Sequence, residues 1–478
     1  MEDLKKTSHF IYSNTLYIIM VLFTLMFFMM AIVYSLINNC FFDIIDGFAR
    51  ILRTPAQCTH DAFSISVPGA FFNTGMCGLL ILIYILFFGE IKKVNSSTIA
   101  AFFLSVGFGT WGMDIFNMLP PMLGIMIVMG LRKKDLSDKV NLGIFSTALS
   151  PLLTEVMLRW PDYKTTINGI EIVTSSANVT NLSFKPMGVV VAMIIGLIIG
   201  FVYPAVSKHA SKMHLGYSLF NAGPAAGFLC AIFVGLLFKV TNIAIPTNGP
   251  SYAKEEFLFV FISYSIMFVI CFIYGLLIEP HAISKYVKLI KDQGHSSDFI
   301  EKYGIGAVLI NFAVYGMFIL LFYTLMRYLF GAKFGGPVVG VIFGAMTWVA
   351  AGAHPLNVLP IGIGYILMSL FSTVICPLLN IGNDAGRLGM ESVPILIGFA
   401  YATGMAPITG HYGALAGIIA GMLHFAIVTL TPNLYGGFNY YNGGMTAALV
   451  VFEFVPVLEE YWPRDIKDNE NINNWFIF

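Results

Sequence analysis

Charge is what this sequence has least of. Asp, Glu, Lys and Arg make up 11% of its 478 residues, against about 25% in soluble domains. The net charge is zero, which leaves no basic face for nucleic acid and no acidic tail. Also absent are a phosphate-binding P-loop, a dinucleotide fingerprint, a CxxC pair and an HExxH helix. No metal, cofactor or enzymatic activity is therefore expected. The six cysteines are scattered, most of them in apolar runs, and read as small core residues.

What is there is hydrophobic: 57% of the chain. No soluble fold buries that much apolar surface, so the bilayer must be the solvent. A membrane helix needs about 20 apolar residues. The chain offers candidates at 11–38, 69–89, 97–110, 111–131, 140–158, 186–206, 215–239, 256–279, 302–326, 336–350, 354–378, 392–410, 411–431 and 440–458. The expected fold is an all-α polytopic membrane protein with about 12–14 membrane segments. Stretches 97–110 and 336–350 are short enough to be half-helices or re-entrant. DIIDGFARIL (43–52) and ISKYVKLIK (283–291) segregate apolar and charged faces, as helices lying on a membrane surface do.

If the N-terminus is cytoplasmic, loops 90–95, 131–139, 207–214 and 280–302 fall inside, and all four are basic. The positive-inside rule expects this. Loops 39–68 and 159–185 then fall outside. Arg327 and Lys333 also do, against the rule. The expected location is the inner (plasma) membrane, with both termini cytoplasmic.

Short polar kernels recur in order along the chain. GYSLFNAGPAAGFL (216–229) is echoed by GGFNYYNGGMTAAL (436–449), pairing Asn221 with Asn442. GMDIFNMLPPMLG matches GAHPLNVLPIGIG, pairing Asn117 with Asn357. LSPLLTE matches MAPITGH, and FNTGMCG matches INFAVYG, pairing Asn73 with Asn311. Four matches in one order mark an internal repeat. The sequence thus divides into 1–68 (first helix and outer interfacial segment), 69–239 (first repeat), 240–301 (connecting helix and cytoplasmic segment), 302–458 (second repeat) and a tail, 459–478. With the loop assignment above, each repeated segment runs opposite to its mate. Such inverted repeats typify secondary transporters, with the site near the midplane between them.

Two sets of candidate residues follow. Asn73, Asn117, Asn221, Asn311, Asn357 and Asn442 are expected to bind substrate with amides freed at broken helices, helix-packing glue being the competing role. Asp114 and Glu155 occupy positions that His354 and His411 hold in the second repeat. If matched elements meet, carboxylate faces imidazole, a pair able to couple protons or ions.

FNMLP, SPLL, APITGHYG, LYGGFNYYNGG and FVPVLE together resemble the uncharacterised prokaryotic membrane family named domain of unknown function 1576. That family implies no activity. FNTGMCGLLIL and FNYYNGG also look like segments of urea transporters, although the proline of the first is missing. The expected function is a transporter of a small polar solute or ion, possible as a homo-oligomer in the bilayer. A channel-like facilitator of a neutral solute is the alternative, and an intramembrane enzyme or structural role the third reading.

Overall fold

The computed structural model describes residues 2–57, 61–134, 139–167, 170–173, 179–246, 254–383 and 386–463. Most of the 459–478 tail thus lies outside the described residues. The first half comprises α1 (Glu2–Ile37), α2 (Asp43–Ile51), α3 (Val67–Phe88), α4 (Ser96–Gly107), α5 (Ile115–Leu131), α6 (Val140–Phe145), α7 (Ser150–Leu158), α8 (Pro186–Ala210) and α9 (Ala222–Val234). A short hairpin, β1 (Lys164–Ile167) and β2 (Ile170–Val173), is the only β-structure among the described residues. The second half comprises α10 (Phe257–Ile278), α11 (Ala282–Leu289), α12 (Phe299–Tyr303), α13 (Ile305–Phe330), α14 (Gly336–Gly344), α15 (Pro355–Leu370), α16 (Cys376–Leu378), α17 (Val393–Ala402), α18 (Ala406–Tyr412), α19 (Ala414–Ile427) and α20 (Asn442–Tyr461). Ten helical runs in the described residues are long and apolar enough to cross a membrane. The chain is a multi-pass, all-α membrane protein.

Contacts between loops sort them onto two faces. On one face, Ser13 at the start of α1 donates to the Val94 carbonyl (2.8 Å), Ser96 to Asp298 (2.9 Å) and Asn141 to Ser97 (2.7 Å). On the other, Gln57 donates to the Pro246 (3.0 Å) and Gly436 (3.1 Å) carbonyls, and Leu182 N–H to the Arg53 carbonyl. The first face is the one that carries the basic loops. Arg327, which violates the charge pattern, pairs with Glu255 at 2.5 Å. Both surface segments form as expected. α2 buries Ile44, Gly47 and Ile51, and holds Arg50 against Asp43 and Asp46; α11 buries Ala282 and Leu289.

Two buried helix starts are closed by side chains. The Asp114 carboxylate caps α5, accepting from Phe116 N–H (2.7 Å) and Asn117 N–H (2.9 Å), while Asn117 Oδ1 accepts from Asp114 N–H. His354 and Asn357 build the same box at the start of α15. Ahead of each box sits a glycine at positive φ, Gly112 (+100°) and Gly352 (+144°), a conformation that side chains with Cβ rarely adopt. The boxes answer a firm requirement, since hydrocarbon offers no hydrogen bonds to a broken helix. They also start α5 at 115 rather than 111. Residues 215–221 are likewise non-helical, although they were expected to begin a span.

Matched positions make matched contacts. Asn73 Nδ2 donates to the Gly109 and Met113 carbonyls, and Asn311 Nδ2 to those of Val349 and Ala353. Gly124 and Gly200 bring α5 and α8 into backbone contact, as Gly364 and Gly421 do for α15 and α19. The correspondence exceeds the repeat visible in sequence. α1 lies on α3 at Gly75 as α10 lies on α13 at Gly316, through Phe28 and Phe268 respectively. Asp61 accepts from Gly336 N–H at the start of α14 (2.9 Å), as Asp298 accepts from Ser96 at the start of α4. Segments 1–68 and 240–301 thus make similar contacts: each packs a helix on the next long span and supplies an aspartate to the start of a short helix.

Some mates touch each other. Phe103 meets Phe343 (4.8 Å between ring centroids) and Phe220 meets Tyr441 (4.8 Å). A Cβ on Gly223 would lie 2.4 Å from the Gly444 backbone. Short α4 and α14 run antiparallel along each other. Thr110 Oγ1 donates to the Gly336 carbonyl at one end, and Thr347 Oγ1 to that of Ala100 at the other. Gly223→Ala should therefore lower the melting temperature in detergent, overpacking costing about 1–3 kcal/mol. Gly130→Ala, whose added methyl meets nothing within 4 Å, should leave it unchanged or slightly raised. Equal effects would contradict the close crossing of α9 and α20.

Candidate functional site

The glycine crossing brings the N-terminal ends of α9 and α20 together, each reached by a non-helical approach from its own face. Two cavities flank this junction. On the basic face a vestibule of about 870 Å³ narrows onto Phe145, Phe220, Asn221 and Trp348. On the opposite face a vestibule of about 360 Å³ is lined by Gln57, Trp111, Asn433, Tyr440 and Asn442 among others. The first carries Arg132, Lys134, Lys139, Lys208 and Asp298 in its wall; the described lining of the second carries no charge.

Aromatic rings fill the space between the vestibules. Phe220 packs on Trp348 (4.9 Å), Tyr401 (5.8 Å) and Tyr441 (4.8 Å). Phe108 packs on Tyr441 (5.8 Å) and stacks on Tyr440 (4.7 Å). Phe145 approaches both Phe220 and Tyr441 at 6.4 Å. Six of these rings form three pairs of matched positions: Phe108 with Trp348, Phe145 with Tyr401, and Phe220 with Tyr441. Behind them a void of about 10 Å³, lined by Phe108, Trp348 and Tyr401, has room for about one water.

The expected site residues divide sharply around this barrier. Asn221 and Asn442 reach cavities, but different ones, so they do not face a common solute. Their chemistry differs too. Asn442 Oδ1 accepts from Thr431 (2.7 Å) and from Tyr435, and its Nδ2 donates to the Val428 carbonyl (3.0 Å). It ties the irregular 431–441 approach to α19 and α20. Asn221 is exposed in its vestibule beside buried His214. Burial pushes that imidazole below its ordinary pKa, while contact with Asn221 raises it.

Asn73, Asn117, Asn311 and Asn357 lie away from both vestibules and serve the backbone. Asn117 Nδ2 donates to the Gly112 carbonyl (3.0 Å) and Thr154 Oγ1 (2.8 Å), and Asn357 Nδ2 to the Gly352 carbonyl (2.8 Å). In this structure all four amides donate to backbone carbonyls.

The facing of carboxylate and imidazole is not found. Asp114 is bonded within its own helix turn. Glu155 forms a bidentate pair with Arg159 (2.8 and 2.7 Å), both side chains at most 1% exposed. His354 and His411 sit at the opposite, basic face. His354 Nε2 lies 2.8 Å from the Asp292 carbonyl, and its Nδ1 accepts from Asn357 N–H, which suits a neutral ring. His411 Nδ1 lies 3.3 Å from Gln293 Oε1. The reason is geometric: each carboxylate lies near one face and its matched histidine near the other.

Three further buried polar groups stand outside both sets of candidate residues, and nothing in the sequence marks two of them, Asp61 and Asp292. His424 bridges Tyr365 OH (2.5 Å) and the Gly443 carbonyl (2.9 Å), joining α15, α19 and α20. Asp61 holds the start of α14; burial pushes its pKa up to about 7 against the opposing Gly336 and Phe63 N–H bonds. Asp292 lies in the basic-face loop. Burial raises its pKa, but Lys302, Tyr303 OH and Gly294 N–H outweigh this and hold the carboxyl below its usual range. The matched asparagines therefore have separable roles. Asn442→Ala should destabilise the protein by about 1–3 kcal/mol, because it leaves buried partners unsatisfied. Asn221→Ala should leave detergent melting near the parent value. A reversed order of melting temperatures would contradict this assignment.

No curated protein and no solved structure matches the chain. A family described as a protein of unknown function, DUF1576, matches residues 42–177, 163–239 and 278–460. The chain, with its paired vestibules and ring-filled centre, belongs to that family.

Proposed function

We propose that the protein is a solute carrier that works by alternating access, its two halves forming an inverted repeat about an axis in the membrane plane. The observation that supports this best is the pair of vestibules on opposite faces, kept apart by three matched aromatic pairs. A barrier assembled from mates can open toward either face by one kind of motion, because each half presents the same surface to the other. Closure by packed rings also suits gating, since cores hop between discrete packings instead of deforming continuously.

In this reading the basic face is cytoplasmic, both termini lie inside, and the membrane is the inner (plasma) membrane. The larger vestibule is then the cytoplasmic one, so the conformation is inward-facing. Asn221 is open to solution while Asn442 is bonded shut. In the outward-facing conformation the two would exchange roles, Asn221 becoming bound and Asn442 exposed. Asp114, Glu155, His354 and His411 serve architecture in this scheme, and none supplies a proton pathway. A channel-like facilitator remains the second reading, favoured by the neutral lining of the outer vestibule.

The test is transport by purified protein in liposomes, screened against amino acids, small amides, carboxylates, nucleobases and inorganic ions. A carrier should show saturable uptake and counterflow. Phe220→Ala and Tyr441→Ala should breach the barrier and raise unsaturable leak by about tenfold or more. Because Phe→Ala in a core costs about 3–5 kcal/mol, Phe220→Leu provides a milder opening with the fold retained. Flux without counterflow in the parent would favour the facilitator. Unchanged leak in all three folded variants would remove the rings from the pathway.

A further inference from the structure

The basic-face vestibule has a composition that the transport reading alone does not require. Four cations, Arg132, Lys134, Lys139 and Lys208, stand in its wall with one carboxylate, Asp298, among the described lining residues. Asp298 is already engaged, accepting from Ser96 Oγ (2.9 Å), Ile300 N–H (2.9 Å) and Glu301 N–H (3.2 Å). In the loop that supplies three of the cations, residues 132–139, basic residues outnumber acidic ones four to two. Narrow, low-dielectric walls of one sign focus the field and concentrate counter-ions.

The inner end of the cavity carries a second cue. α9 begins there, with Asn221 as its N-cap and Ala222 in the lining, so the positive end of the helix faces the space. The N-terminal end of α20 lies against it from the other half, at the Gly223–Gly444 contact. A helix N-terminus that opens on a cavity favours anionic groups; that of α20 opens on the opposite vestibule, at Asn442. A third cue is independent of the helix. A side pocket of about 380 Å³ shares Asn221, Leu219, Ser297 and Ala351 with the vestibule and is walled by His214. That imidazole is 2% exposed, and neither ring nitrogen makes a hydrogen bond of ordinary geometry; the Asn221 amide is the polar group that bears on it. The remaining wall is apolar and aromatic: Phe145, Phe201, Phe220 and Trp348.

We infer that this vestibule binds organic anions, a carboxylate on a planar apolar body, with the charge toward Asn221 and the α9 N-terminus and the body against Phe220 and Trp348. The four cations attract the anion, and the helix end and amide orient it. This deepens the carrier reading by naming its substrate class, and it is tested by binding, which does not depend on turnover.

The probes are benzoate, its neutral isostere benzamide, and inorganic phosphate, added to purified full-length protein in detergent. The readouts are thermal shift and quenching of tryptophan fluorescence. Benzoate should stabilise saturably, with an apparent affinity about tenfold or more tighter than benzamide. Its affinity should weaken when NaCl rises from about 50 to about 500 mM, since the attraction is screened. The double variant Arg132→Gln, Lys139→Gln should lose about tenfold in benzoate affinity at unchanged melting temperature. Lys288→Gln, on the same face outside the vestibule, should lose none. Trp348→Phe should abolish the quenching and keep the thermal shift.

The inference is overturned if benzamide binds as tightly as benzoate, or if no probe gives a saturable response. It is equally overturned if Lys288→Gln acts like the vestibule variants. Phosphate binding without benzoate preference would keep a charge site and overturn the apolar body. Binding of benzoate with no flux of any anion in liposomes would contradict the carrier reading and leave the site standing. Transport restricted to neutral amides would do the reverse.

Discussion

A helix that stops inside a bilayer leaves amides and carbonyls that lipid cannot satisfy, and the rest of this structure depends on how that debt is met. α5 and α15 begin at buried positions behind glycines at positive φ. Their free N–H groups are taken up by Asp114 and Asn117 in one case and by His354 and Asn357 in the other. Asn73 and Asn311 collect the carbonyls left by the preceding turns. With those groups bonded, the chain can break and restart its helices within an apolar interior. Without them, each break would leave unsatisfied polar groups, at several kcal/mol apiece.

The second constraint is close approach. Glycines let α9 cross α20, α5 cross α8 and α15 cross α19 at backbone distance. These contacts set the depth at which the α9 and α20 ends meet, and hence where the Phe220 and Tyr441 rings come together. The barrier is thus a product of glycine placement as much as of the rings themselves. Asn442 then fixes the approach on one face, while Asn221 is left open on the other. The two asparagines, alike in their sequence setting, are thus unlike in their bonding.

Much of this was legible in the sequence. The spans, both surface helices and the repeated Asn kernels stand out because apolar runs and polar kernels contrast strongly. The roles of the kernels were harder to read. An amide that binds a solute and one that caps a helix occupy the same Asn-x-Gly or Asn-x-x-Pro setting, and only the positions of Gly112 and Gly352 decide between them. The similar packing of α1 and α10 was invisible, since lipid-facing helices keep hydrophobicity and little else. The barrier was hidden for another reason. Rings make up 15% of the chain, and mates such as Phe145 and Tyr401 differ in identity, so they emerge only after the halves are aligned. Glu155 and His411 were expected to meet if a pseudo-two-fold axis brought matched elements together. Lying near opposite faces, they are kept apart.

The central claim is that two separate vestibules reach toward a closed centre from opposite faces. Single cysteines at Asn221 and Asn433 in a cysteine-free background test it most directly, using a membrane-impermeant thiol reagent applied to one side of oriented vesicles at a time. The account predicts that the Asn221→Cys thiol reacts only from the face bearing loop 131–139, and the Asn433→Cys thiol only from the other. Reaction of both from a single face would contradict it.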